Sequence, residues 1–173
     1  LGIGIGLELL LIAALVDYRE LRRYAPYLFA ATLVLTAAVF LPYIGMEHGG
    51  GRRWIHISRF TLQPSEFLKI GVVVMMAAYC AMMKGKISTL KYGLGGYIAV
   101  LALPVLLLVA QPDLGTLGVM IFSTLAVFWA AGARVRDLAL LILIGLISLG
   151  LLATFRPYVR DRVVTFFYPS PTQ

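Results

Sequence analysis

Gly49–Ile70 reads GGGRRWIHISRFTLQPSEFLKI, and the chain runs on from there as an apolar segment to Met83. A polar, cationic stretch with three glycines, two arginines and a tryptophan therefore leads through Gln63-Pro64-Ser65-Glu66 into a helix suited to lipid. That helix carries Glu66 and Lys69 just inside its start. Charge inside a membrane segment is costly and usually marks a functional position.

The rest of the chain follows the same reading. Of its 173 residues 61% are hydrophobic and 13% charged, against roughly a quarter charged in soluble domains. Five apolar stretches, Pro26–Ile44, Ser65–Met83, Tyr92–Ala110, Leu114–Ala131 and Leu138–Phe155, are 18 or 19 residues long. About 20 helical residues cross a bilayer core. Leu1–Val16 is a shorter sixth stretch with no basic leader and no cleavage pattern, so it reads as a transmembrane helix cut at its N-terminal end rather than a signal peptide. The expected fold is an all-α, polytopic membrane helix bundle of about six transmembrane helices, with residues 1–173 forming one transmembrane unit and an internal piece of a longer protein. Cys80 is the single cysteine and lies within an apolar segment, so disulfide and thiolate metal chemistry have no basis.

Loops between the stretches alternate sides. One side carries Arg19, Arg22, Arg23, Lys84, Lys86, Lys91, Arg134 and Arg136, eight cations in all. The other carries Arg52, Arg53, Arg59, Arg156, Arg160 and Arg162, six in all, every one an arginine. The positive-inside rule makes the first side cytoplasmic by a narrow margin. Arginine's planar fork suits bidentate phosphate recognition better than lysine does. An outer face holding six arginines against that trend is expected to bind something anionic, with lipid headgroups as the plain alternative. The net charge of +7 is dispersed over short loops, which argues for anionic lipid or phosphate rather than nucleic acid.

Gln63-Pro64-Ser65-Glu66 has the chemistry of a helix start: proline suits the first helical position and the acid complements the helix dipole. Gln111-Pro112-Asp113-Leu114-Gly115-Thr116 repeats the pattern 48 residues on, with Pro112 first and Asp113 in the first turn. Both starts belong to the outer side. Free amides at two helix starts suit an anionic group, yet Glu66 and Asp113 would compete for the same positive ends. The two carboxylates could instead cap their helices, orient arginines, hold a divalent cation or transfer protons. Lys69 lies three residues after Glu66 on one helix face, and the preferred reading is a Glu66–Lys69 pair facing a polar cavity, against snorkelling to the interface. Glu8 is left without a role.

Smaller features are weaker. Trp54 fits an aromatic belt or a stacking platform for a sugar. His48 and His56 lie eight residues apart in no zinc pattern. Pro104 is expected to kink its helix, and Phe122 and Phe128 read as packing or lipid-facing. Arg156-Pro-Tyr-Val-Arg160-Asp161-Arg162 reads as an interfacial anchor or as an extension of the outer arginine site.

Taken together, Arg53-Trp54, the nine positions from Trp54 to Gln63, Gln-Pro-Ser-Glu with Lys69, Gln-Pro-Asp-Leu-Gly-Thr and the Pro-Tyr-x-Arg-x-Arg tail resemble the SEDS family (shape, elongation, division and sporulation; the RodA, FtsW and SpoVE group). The resemblance covers essentially the whole chain. It implies a ten-helix protein, of which this chain looks like the second to seventh helices and the start of the large outer loop. It also implies a peptidoglycan glycosyltransferase that joins lipid II units outside the bacterial cytoplasmic membrane, with a class B penicillin-binding protein as transpeptidase partner. By resemblance Glu66 and Lys69 line the substrate cavity, with Arg52, Arg53, Trp54, Gln63 and Ser65 at its rim. Asp113 and Thr116 match the second motif, and Arg160 the tail. The family's catalytic carboxylate would lie beyond Gln173, leaving no catalytic residue to name here and predicting a piece inactive by itself. Ser58 stands where many relatives have glycine, and Thr61 where many have arginine, with Arg59 as its candidate replacement. No cofactor is assigned beyond the open question of a divalent cation. A lipid II flippase, or a module that only recruits the synthase partner, are the competing readings.

Overall fold

The computed structural model describes residues 7, 11, 17–41, 45–48, 51–57, 60–156, 159, 160, 164 and 165. Of the Leu1–Val16 stretch, Leu7 and Leu11 are described, both helical; Glu8, Ser58, Arg59 and Arg162 lie outside the described residues. The architecture is an all-α bundle: α1 (Tyr18–Ala37), α2 (Pro64–Met82), α3 (Leu94–Ala110), α4 (Leu114–Ala130) and α5 (Val135–Phe155). A short 3₁₀ turn, Ala38–Phe40, follows α1. Among the described residues, α1 with that turn, α2 and α5 are long and apolar enough to cross a membrane. The 17-residue helices α3 and α4 reach about 26 Å, close to the ~30 Å hydrocarbon core.

Two departures from the sequence reading have local causes. Helix α1 begins at Tyr18, eight residues before the apolar stretch, because the Asp17 side chain caps it by accepting from the Arg19 amide at 2.9 Å. The segment Gly45–Pro64, read as loop, contains a three-stranded antiparallel sheet instead: β1 (Gly45–His48), β2 (Gly51–Ile57) and β3 (Phe60–Leu62), in the order β1-β2-β3. Two glycines separate β1 from β2, with His48 opposite Gly51. That spacing is the sequence signal for a hairpin.

Helix α2 is the centre of the bundle, touching α1, α3 and α4. Its buried stripe is Leu68, Val72, Met76 and Cys80, residues four apart that share one helix face. Helix α4 presents a matching stripe, Thr116, Met120, Thr124 and Phe128, all buried. The Tyr97 ring of α3 packs tilted against Phe128, with centroids 5.1 Å apart and the planes at 44°, and its hydroxyl lies 2.9 Å from Thr124 Oγ1. Thr124 in turn donates to the Met120 carbonyl at 2.9 Å, so polar groups in the apolar layer are satisfied locally. Pro104 is buried within α3.

Gly71 lets α1 and α2 approach closely. A Cβ there would run into the side chain of Thr32, whose hydroxyl already donates to the Phe29 carbonyl at 3.0 Å. Gly71→Val is expected to lower stability by about 1–3 kcal/mol through overpacking, read as a lower Tm of the detergent-purified protein. Gly118→Ala, with nothing within 4 Å of the new carbon, should instead raise Tm by the equivalent of up to about 1 kcal/mol, because alanine is the better residue in a helix interior.

Candidate functional site

The two Gln-Pro motifs, 48 residues apart in sequence, meet in space around one carboxylate. Asp113 Oδ2 accepts from Ser65 Oγ at 2.9 Å and from Gln63 Nε2 at 3.0 Å. Gln63 Nε2 also donates to Ser65 Oγ at 3.0 Å. The other oxygen, Oδ1, accepts from the Thr116 amide at 3.3 Å and lies 3.9 Å from an Arg53 guanidinium nitrogen. Ser65, Asp113 and Thr116 are all buried. Asp113 thus does three things: it caps α4, ties α4 to the start of α2, and holds Arg53 of the sheet against both.

This arrangement revises the sequence reading of the second motif. Asp113 is the N-cap of α4, which starts at Leu114, and so precedes the first turn rather than lying within it. A short acid at that position can turn back on the amide three residues ahead, which Pro112 cannot do. In the first motif Pro64 opens α2, and the Gln63 side chain makes no cap bond to its own helix. Its amide is committed to Ser65 and Asp113.

The strand explains how Arg53 reaches this point. Alternate residues of a strand face opposite sides, and Arg53 shares its face with Ile55, which is buried. The Arg53 side chain is only 14% exposed. Trp54, paired with Met46 of β1, is half-buried. Arg52 pairs with Glu47 across the hairpin; its side chain lies outside the described residues.

One helical turn into α2, Lys69 Nζ sits 2.9 Å from Glu66 Oε2. Glu66 is 55% and Lys69 25% exposed in their side chains, so the pair lies on the helix surface. The cavity at this end has other walls: Val109, Ala110, Pro112, Leu114, Leu152 and Val159, with Arg156 at its edge and a volume of about 200 Å³. Glu66 and Lys69 satisfy each other one turn apart and do not line it. The cavity does place Arg156 beside the residue preceding Asp113. Arg160, in the turn after α5, is exposed. Glu66→Ala or Lys69→Ala leaves the other charge unmatched in an apolar helix, so each is expected to lower the Tm of the detergent-purified protein more than the double substitution Glu66→Ala/Lys69→Ala does.

Gln111 belongs to the second motif, yet sequence reasoning gave it no role. It is buried and donates through Nε2 to the Thr36 carbonyl at 2.9 Å, tying the last turn of α1 to the α3–α4 turn. Its only sequence signal was its place in a repeated Gln-Pro pair. Among the described residues no group of three or more His, Cys, Asp or Glu side chains could hold a metal ion.

These contacts put the end of α1, the starts of α2 and α4 and the Arg53 strand at one end of an apolar helix bundle. The sequence pattern of the FtsW, RodA and SpoVE proteins, described as "Cell cycle protein", matches residues 1–173. The chain belongs to the FtsW/RodA/SpoVE family.

As a member of this SEDS family it is a membrane-embedded helical protein. It is 33% identical over 168 residues to a "Probable peptidoglycan glycosyltransferase FtsW" of Aromatoleum aromaticum, covering 97% of this chain and 40% of that protein. It is 30% identical over 166 residues to "Stage V sporulation protein E" of Bacillus subtilis, covering 96% of this chain and 45% of that protein. The chain thus spans less than half the length of these relatives. Among solved structures it resembles one reported as "Structural coordination of polymerization and crosslinking by a peptidoglycan synthase complex", with a TM-score of 0.73 and 28% identity over 96% of this chain and 49% of that one. It also resembles the rod shape determining protein RodA of Thermus thermophilus, with a TM-score of 0.67 and 31% identity over 86% of this chain and 47% of that one. The family read from the motifs is the family that matches.

Proposed function

We propose that this chain is part of a peptidoglycan glycosyltransferase that polymerises lipid II at the outer face of the bacterial cytoplasmic membrane, alongside a class B penicillin-binding protein. The observation that carries this reading is the Asp113 junction, which holds Arg53 at the end of the bundle where both Gln-Pro helix starts meet. In the proposed reaction the 4-hydroxyl of an acceptor sugar attacks C1 of the lipid-linked donor sugar, and undecaprenyl pyrophosphate leaves. The general base is assigned to the family's large outer loop. This chain's residues do the holding: Arg53, with Arg156 and Arg160 on the same end, would offset charge on the pyrophosphate as the bond breaks. Glu66 and Lys69 would orient the sugar-phosphate link. The Asp113 carboxylate, already engaged by Ser65, Gln63 and the Thr116 amide, does not suit a divalent cation.

The test is reconstitution of the full-length protein with lipid II. Glycan chains that disappear when the outer-loop carboxylate is substituted would support the polymerase. No polymer, with lipid II crossing liposome membranes, would overturn it in favour of a flippase.

A further inference from the structure

The opposite end of the bundle, where Lys84, Lys86 and Lys91 lie, carries a broad, open groove. Phe29 of α1, Met75 and Tyr79 of α2, the α2 C-cap Met83, and Gly95 and Gly96 of α3 line a groove of about 490 Å³. From Met75 to Met83 its α2 wall runs about 12 Å, so it leads from the helix ends well into the apolar layer. Its small-residue wall cannot be altered freely, because a Cβ at Gly96 would run into the Tyr79 ring. Charge enters only at the mouth. Lys91 lines it beside Tyr92, and the ammonium groups of Lys86 and Lys91 each lie 5.5 Å from the Tyr92 ring centroid. Tyr92 is fixed in turn by the Tyr79 hydroxyl, which donates to its backbone carbonyl at 2.7 Å. The segment Lys84–Gly93 contains three lysines and no carboxylate.

We propose that this groove seats an acyl chain of an anionic glycerophospholipid, whose phosphodiester lies between Lys86 and Lys91. The groove's apolar walls, with charge at one end alone, suit an acyl chain joined to a charged headgroup. Two cations held on one aromatic ring, with no acid in their own segment, match a single negative headgroup. Lysines that merely snorkel would have no reason to converge on the mouth of a groove. The site is separate from the Asp113 junction and does not depend on the reaction assigned there.

The experiment uses the full-length protein in phosphatidylcholine vesicles carrying a trace of chain-spin-labelled phosphatidylglycerol or, in parallel, chain-spin-labelled phosphatidylcholine. Electron paramagnetic resonance then gives the motionally restricted fraction of each label. The expected result is a preference for phosphatidylglycerol that falls roughly fivefold or more in Lys86→Gln/Lys91→Gln, given the pull of each cation on anionic lipid. Lys84→Gln, a charge control on a residue that does not line the groove, should leave the preference nearly intact. Gly95→Leu should abolish it with both lysines still present. That variant should fold, because a Cβ at Gly95 meets only the Leu90 carbonyl oxygen, at 3.6 Å, and its Tm checks this. Equal restriction of the two labels, an equal loss in Lys84→Gln, or a preference that survives in a folded Gly95→Leu would each overturn the proposal.

Discussion

Asp113→Ala is expected to lower the unfolding free energy by about 3–5 kcal/mol, the range for breaking a buried charged pair from one side. The carboxylate is the shared acceptor for Ser65, Gln63 and the Thr116 amide, and it faces Arg53. Alanine would leave the Ser65 hydroxyl and the Gln63 amide short of an acceptor in a buried place and would uncap α4. Asp113→Asn should fall in between. One of its two polar atoms becomes a donor, which must then face either Ser65 and Gln63 or the Thr116 amide and Arg53. Chemical or thermal unfolding of the detergent-purified full-length protein reads both. A double-mutant cycle with Ser65→Ala is the sharper measurement, since residues in one hydrogen-bonded network couple by about 0.5–3 kcal/mol. Strict additivity of the two substitutions would mean that the junction does not hold the motifs together.

Arg53→Ala, in the full-length protein, is expected to reduce lipid II polymerisation by about 10²–10³, the loss typical of removing one preorganised donor from a developing charge. The same substitution also removes a partner of Asp113, so stability has to be followed alongside activity. Arg53→Lys separates the two effects. Lysine retains a positive charge facing Asp113 and should keep most of the stability, but it lacks the planar fork needed to grip a pyrophosphate. The expected outcome is a protein with near-normal Tm and polymerisation still reduced by at least about tenfold. Near-normal synthesis in Arg53→Ala would remove Arg53 from substrate binding and leave it a structural partner of Asp113.

The helical character and the charge distribution were legible because hydropathy and loop charge are local properties. Apolar runs mark α1 to α5 whatever their neighbours do, and the gathering of arginines on one side follows from loop parity alone. The hairpin was legible in principle, from two glycines between short stretches of strand-forming residues. It was overlooked because strands of three to seven residues make little impression beside apolar runs of 18 or 19. The start of α1 was missed for a related reason: Tyr18–Ala25 is charged, and its helicity depends on the Asp17 cap rather than on apolar content.

The sequence by itself determined that this is a membrane helix bundle of the SEDS family with two Gln-Pro helix starts on one side. It could not say that those starts touch. Whether Asp113 holds a cation, moves protons or binds Arg53 depends on contacts across about 50 positions of chain, and these exist only once α2 and α4 pack along their buried stripes. Likewise adjacent arginines 52 and 53 are alike as letters, while the strand turns Arg53 to the buried face it shares with Ile55. Local composition sets which segments enter the membrane, because transfer free energy is summed residue by residue. Packing decides which polar groups meet there, because a buried carboxylate must take its partners from whatever the fold brings within hydrogen-bond reach.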